Sequence, residues 1–112
     1  RGGKLLIYHG WADPIVTPQR TLDYYAELER RFGAAPTREF ARLFMLPGFD
    51  HCGIQAGAGA NDAGFDPLPA LEAWVEQGVA PERIDTRRVD AQGKTAWQAP
   101  VCAWPRAGAD CR

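Results

Sequence analysis

KLLIYHGWADPIVTP, residues 4–18, is the stretch that decides the fold. Leu5-Leu6-Ile7-Tyr8 inside the run from Lys4 to His9 is apolar without alternation. A strand buried on both faces reads this way, and such strands belong to parallel sheets. Gly10-Trp11-Ala12-Asp13-Pro14 then supplies the turn residues that end it. Thr17 is placed to cap a helix whose first position is Pro18, where the missing N–H costs nothing. Leu22, Tyr25, Leu28 and Phe32 recur at helical spacing and give that helix one apolar face, with Gly33 as its stop.

The pattern then repeats. After Ala34-Ala35-Pro36, residues Glu39 to Leu46 read as a second strand, and Leu43-Phe44-Met45-Leu46 as its fully buried end. Pro47-Gly48 breaks it. A long glycine-rich loop from Phe49 to Phe65 follows, and loops of that length are usually functional or mobile. Asp66 and Pro67 open a second helix with Leu68, Leu71, Trp74 and Val75 as its buried stripe, ended by Gly78. Arg83 to Val89 reads as a last extended segment, and the remainder as irregular. Strand, helix, strand, helix in this order predicts an α/β fold with parallel strands. Two strands do not make a parallel sheet with both faces covered, and the chain opens at Arg1 almost inside a strand. The expectation is that residues 1–112 are the C-terminal portion of a single larger domain.

The composition is that of an ordinary globular chain. Hydrophobic residues make up 46% and charged residues 24% of 112 positions, which excludes a disordered or highly charged arm. A net charge of −1 gives no electrostatic reason to expect nucleic acid. The longest apolar run, Leu43 to Pro47, is far short of the roughly 20 residues that cross a bilayer, so no membrane partner is expected. There are three cysteines, Cys52, Cys102 and Cys111, and an odd count leaves either a free thiol or a partner outside the chain. Cys102 and Cys111 lie close together in a Pro/Trp/Gly-rich tail. That context suits a small disulfide loop and an oxidising, secreted or periplasmic setting; three reduced thiols in a cytosolic protein are the alternative.

In a parallel sheet, functional residues collect just beyond the C-terminal ends of the strands. Asp13 follows the first strand and His51 the second. If the two strands are neighbours, a carboxylate stands beside an imidazole. The carboxylate can fix the ring's tautomer and stabilise its protonated form, while the other ring nitrogen moves a proton for a nucleophile. Each residue also has a plainer reading. Asp before Pro forms turns, and a lone His in a glycine-rich loop commonly does nothing. His9, inside the first strand, reads as structural. A zinc site from His9, Asp13, His51 and Cys52 has the right residue types but none of the short ligand spacings. Trp11, Trp97 and Trp104 would suit the surface of a non-catalytic interaction module, whereas Trp74 reads as core.

Two segments carry a family resemblance. GGKLLIYHGWADPIVTP, residues 2–18, resembles the acid-bearing strand and loop of α/β-hydrolases through its G-x-x-D-x-x-V-x-P core. LFMLPGFDHCG, residues 43–53, with His followed directly by Cys, resembles the tannase and feruloyl esterase family. The helix PLPALEAWVEQGVAPERI, residues 67–84, is similar to that family's closing helix. The resemblance implies the C-terminal part of an α/β-hydrolase fold, with Asp13 as triad acid and His51 as triad base. It implies that Cys52 pairs with an upstream cysteine beside the nucleophilic serine, and that Cys102 and Cys111 are the family's C-terminal cysteine pair. It implies a small-molecule aromatic acid ester, feruloyl or galloyl, as substrate. Other α/β-hydrolases, such as a peptidase or a dienelactone-type enzyme, would use the same two residues. No cofactor or metal is expected in these residues; in the family, calcium can occupy a lid inserted before the position of Asp13. The chain contains no serine at all, so by itself it lacks the nucleophile, and by resemblance it also lacks the oxyanion hole.

Overall fold

The computed structural model describes residues 2–51, 63–89, 92–108, 110 and 111. The first apolar run forms β1 (Leu5–Gly10), and the second forms β2 (Ala41–Leu46). They pair in parallel, from Leu5 opposite Ala41 to Gly10 opposite Leu46. Between them run α1 (Pro18–Phe32) and α2 (Ala34–Phe40). Thr17 caps α1 by accepting from Gln19 N–H, Pro18 occupies the first turn, and Gly33 ends the helix at φ 93°. Gly33 also begins α2, so one residue turns the chain between two helices.

That second helix departs from the sequence expectation, which placed Glu39 and Phe40 in a strand. Pro36 falls in the first turn of α2, where its missing N–H has no helical partner to lose. The strand therefore starts at Ala41, and all six of its residues are buried.

Side-chain alternation along β2 divides the interior into two clusters. Ala41, Leu43 and Met45 face α1 and pack with Tyr25, Ile7, Leu22, Leu28 and Phe40. Phe44 and Leu46 face the opposite way and pack with Ile84, Val101, Ala103, Leu6, Phe65 and Ala70. Tyr25 completes its burial by donating from its hydroxyl to Ala41 O at 2.9 Å. Phe32, expected on the same face, is largely exposed at the helix end, edge-on to Phe40. β1 is less covered than its composition implies: Leu5 and Tyr8 are 40% and 53% exposed. Among the described residues only β2 pairs with β1.

On the second face lie α3 (Leu68–Gln77) and an antiparallel sheet. Asp66 Oδ1 accepts from Leu68 N–H at the start of α3, and Gly78 ends it in the left-handed region at φ 71°. Of the expected stripe, Trp74 is buried and Leu71 partly so, while Leu68 and Val75 are exposed. Two cations lie near the Trp74 ring, Lys4 Nζ at 5.4 Å and the Arg42 guanidinium at 5.8 Å from its centroid. The sheet contains β3 (Ala63–Gly64), β4 (Arg83–Val89) and β5 (Thr95–Cys102), in that order. β5 lies in the stretch expected to be irregular. Pro100 obscures it in the sequence, but β5 is an edge strand of this sheet, where a residue lacking N–H is tolerated.

The end of β5 ties the two sheets together. Ala103 bridges to Phe44, and Trp104 N–H donates to Leu43 O at 2.7 Å. The irregular tail that follows is closed by a disulfide between Cys102 and Cys111, with Cα atoms 5.2 Å apart. No described helix is long and apolar enough to cross a membrane.

Candidate active site

Gly10 sets the spacing at the exits of the two parallel strands. A Cβ at this position would lie 2.2 Å from Phe49 O, so glycine lets the chain leaving β1 pass against the chain leaving β2. Two backbone bonds fix the contact: Trp11 N–H to Leu46 O at 2.9 Å, and Ala12 N–H to Phe49 O at 3.0 Å. Gly48, at φ 74°, turns the chain after β2. The segments bearing Asp13 and His51 are thereby held side by side, though the two residues are 38 apart in sequence.

The structure brings these two side chains together. His51 Nδ1 lies 2.9 Å from Asp13 Oδ2. Asp13 Oδ1 accepts from the backbone N–H groups of Ile15 and Val16, both at 2.9 Å, and these fix the plane of the carboxylate. The side chain of Asp13 is only 6% exposed, while that of His51 is 34% exposed. Burial pushes the Asp13 carboxyl toward its neutral form and is the largest single influence on it. The hydrogen bond from His51, the Val16 and Ile15 amides and the His51 charge together outweigh it, and hold the group well below the usual carboxylate range. Asp13 is therefore ionised and can only accept, so His51 Nδ1 carries a proton. His51 Nε2 has no hydrogen-bond partner among the described residues. An imidazole fixed at Nδ1 and open at Nε2 can accept a proton from one group and return it to another.

His9 joins the same cluster, although its place inside β1 marked it as structural. As an odd-numbered residue of β1 it faces α1, like Ile7. Its Nε2 lies 2.9 Å from Asp13 Oδ2 and 3.0 Å from Val16 O, and its Nδ1 lies 2.6 Å from Thr21 Oγ1 on α1. The sequence carried no clear signal for this contact, because it depends on which face of β1 meets α1. Of the remaining candidates, Cys52 lies outside the described residues. Trp74 is core as expected. Trp11 and Trp97 are exposed, and Trp11 meets Trp104 edge-on at 5.9 Å.

A parallel strand–helix–strand unit with a carboxylate and an imidazole at adjoining strand exits defines part of an α/β-hydrolase. The chain belongs to the tannase and feruloyl esterase family, whose profile matches residues 1–109. It is 40% identical over 106 residues to a probable feruloyl esterase of Arthroderma benhamiae, covering 93% of this chain and 19% of that one. It is also 40% identical over 109 residues to the mono(2-hydroxyethyl) terephthalate hydrolase of Piscinibacter sakaiensis, covering 95% and 17%. The crystal structure of feruloyl esterase B from Aspergillus oryzae superposes with a TM-score of 0.76 at 29% identity, over 94% of this chain and 23% of that one. The chain thus spans about a fifth of the length of these relatives.

Proposed function

We propose that residues 1–112 are the acid- and base-bearing C-terminal portion of a carboxylic ester hydrolase working through a Ser-Asp-His triad. The observation that carries this reading is the 2.9 Å contact between His51 Nδ1 and an Asp13 carboxylate otherwise saturated with donors. His51 Nε2 would take the proton of a serine hydroxyl supplied by sequence preceding Arg1, as that oxygen attacks the ester carbonyl. The same nitrogen would then protonate the departing alcohol and activate the water that releases the acid. Asp13 would hold the ring and stabilise the imidazolium formed in each half-reaction. The nucleophile and oxyanion donors lie outside this chain, so the 112 residues alone would be inactive.

An aromatic acid ester is the substrate class this reading favours, because feruloyl and terephthalate esters name the activities of its relatives. A peptidase or dienelactone hydrolase would employ the same two residues; membership of the family favours the ester. Cys52 is taken as half of a bridge to a cysteine beside the serine. The Cys102–Cys111 disulfide supports a secreted or periplasmic location.

The test uses the full-length protein and an aromatic methyl ester. Asp13→Asn should cost about 10⁴-fold in kcat by allowing the wrong ring tautomer, and His51→Ala at least as much. Retention of near-normal turnover by either variant, with the protein folded, would remove the reading.

A further inference from the structure

Asp13 Oδ2 has two imidazole partners at the same distance, 2.9 Å, and the triad uses only one of them. The second, His9, is almost enclosed, with its side chain 12% exposed. Its protonation pattern follows from its neighbours. Nε2 faces two oxygens, Asp13 Oδ2 and Val16 O, and neither has a proton to give. Nε2 must therefore carry the hydrogen and donate. Nδ1 faces the Thr21 hydroxyl, which can donate to it when His9 is neutral. Thr21 on α1 and Val16 in the loop before it thus present His9 of β1 to the carboxylate in a single orientation.

We propose that His9 is a positioning residue for the triad: its Nε2–H shares Asp13 Oδ2 with His51, fixing the carboxylate's direction and limiting how strongly it draws on the His51 proton. This inference rests on the proposed triad. Two donors on one oxygen divide its lone-pair density, so each receives a weaker acceptor than it would alone. The His51 imidazolium is then stabilised enough to form, but not so much that it keeps its proton. The titratable groups in contact with the carboxylate among the described residues are His9 from β1 and His51 after β2; the Thr21 hydroxyl of α1 is neutral and bonds to His9 Nδ1 rather than to the carboxylate.

The experiment compares His9→Ala, His9→Gln and His9→Asn in the full-length enzyme, with Asp13→Asn and His51→Ala as references. The Gln amide nitrogen reaches about as far as the imidazole Nε2, whereas the Asn amide stops near the position of Nδ1. Loss of a hydrogen bond to a charged acceptor should lower kcat about 10- to 100-fold in His9→Ala and His9→Asn, with KM nearly unchanged. The acid limb of the kcat/KM profile should move to higher pH, because Asp13 relieved of one donor stabilises protonated His51 more strongly. His9→Gln should recover most of kcat and return the limb toward its original place. The Gln and Asn variants are both polar and of similar bulk, so their comparison decides the matter even if His9→Ala does not fold. Wild-type kcat and an unmoved limb in His9→Ala or His9→Asn would overturn the proposal. So would a loss of activity that follows thermal stability and is no milder in Gln than in Asn. Activity persisting in Asp13→Asn and His51→Ala would instead bring down the triad itself, and this role with it.

Discussion

Asp13 accepts four hydrogen bonds, two backbone amides on one oxygen and two imidazoles on the other. Such a carboxylate is costly to protonate in the folded state, and its acidity is accordingly raised. An unfolded aspartate titrates near about 3.9. Around that pH the unfolded chain binds more protons at this position than the folded one. The stabilisation from Asp13 is therefore complete above that value and is lost as the pH falls toward the lower, folded value. Unfolding of the full-length protein, followed by circular dichroism from about pH 6 down to about pH 2, should show the wild type losing stability more steeply below about pH 4 than Asp13→Asn. Parallel curves for the two proteins would mean that the carboxylate gains nothing from its donors.

At the scale of elements, the site depends on two strands ending level with each other, and Gly10 is the contact that permits it. A methyl group at Gly10 would meet the Phe49 carbonyl at 2.2 Å, and the obstruction is backbone rather than a side chain that can swing aside. Gly10→Ala should therefore cost about 1–3 kcal/mol. It should also reduce kcat well beyond what that stability loss explains, because it pushes apart the segments that carry Asp13 and His51, the proposed acid and base. Denaturant titration beside steady-state kinetics checks this, and an alanine variant with normal turnover would show that the segments tolerate separation. Much of this arrangement was legible in the sequence. Thr17-Pro18 and Gly33 mark the two ends of α1, and Leu43 to Leu46 carry a burial that needs no partner to be read. What escaped was decided by context. α2 is only seven residues long and reads as the approach to a strand. β5, with Pro100 inside it, is defined by pairing with β4 rather than by any pattern of its own. The contact of His9 with Asp13 depends on which face of β1 meets α1, and an apolar run without alternation does not disclose its faces.

For the molecule as a whole, one strand separates two apolar clusters, and the tail is pinned to that strand. Cys102 at the end of β5 is joined to Cys111 nine residues later, closing the segment that includes Ala103 and Trp104, the two residues that bond to β2. Loop closure of this length is worth about 2–3 kcal/mol. Replacing both cysteines by alanine in the full-length protein should lower its thermal midpoint accordingly while leaving KM unchanged. An unaltered midpoint would show the tail to be held by its packing alone. The tail's bonds to Leu43 and Phe44 have a directional outcome: they occupy the flank of β2 that faces away from β1. β1 is left with its outer flank unpaired among the described residues. Across this part of the molecule the ribs therefore run tail, β2, β1, with β2 bonded on both edges and β1 on one among the described residues.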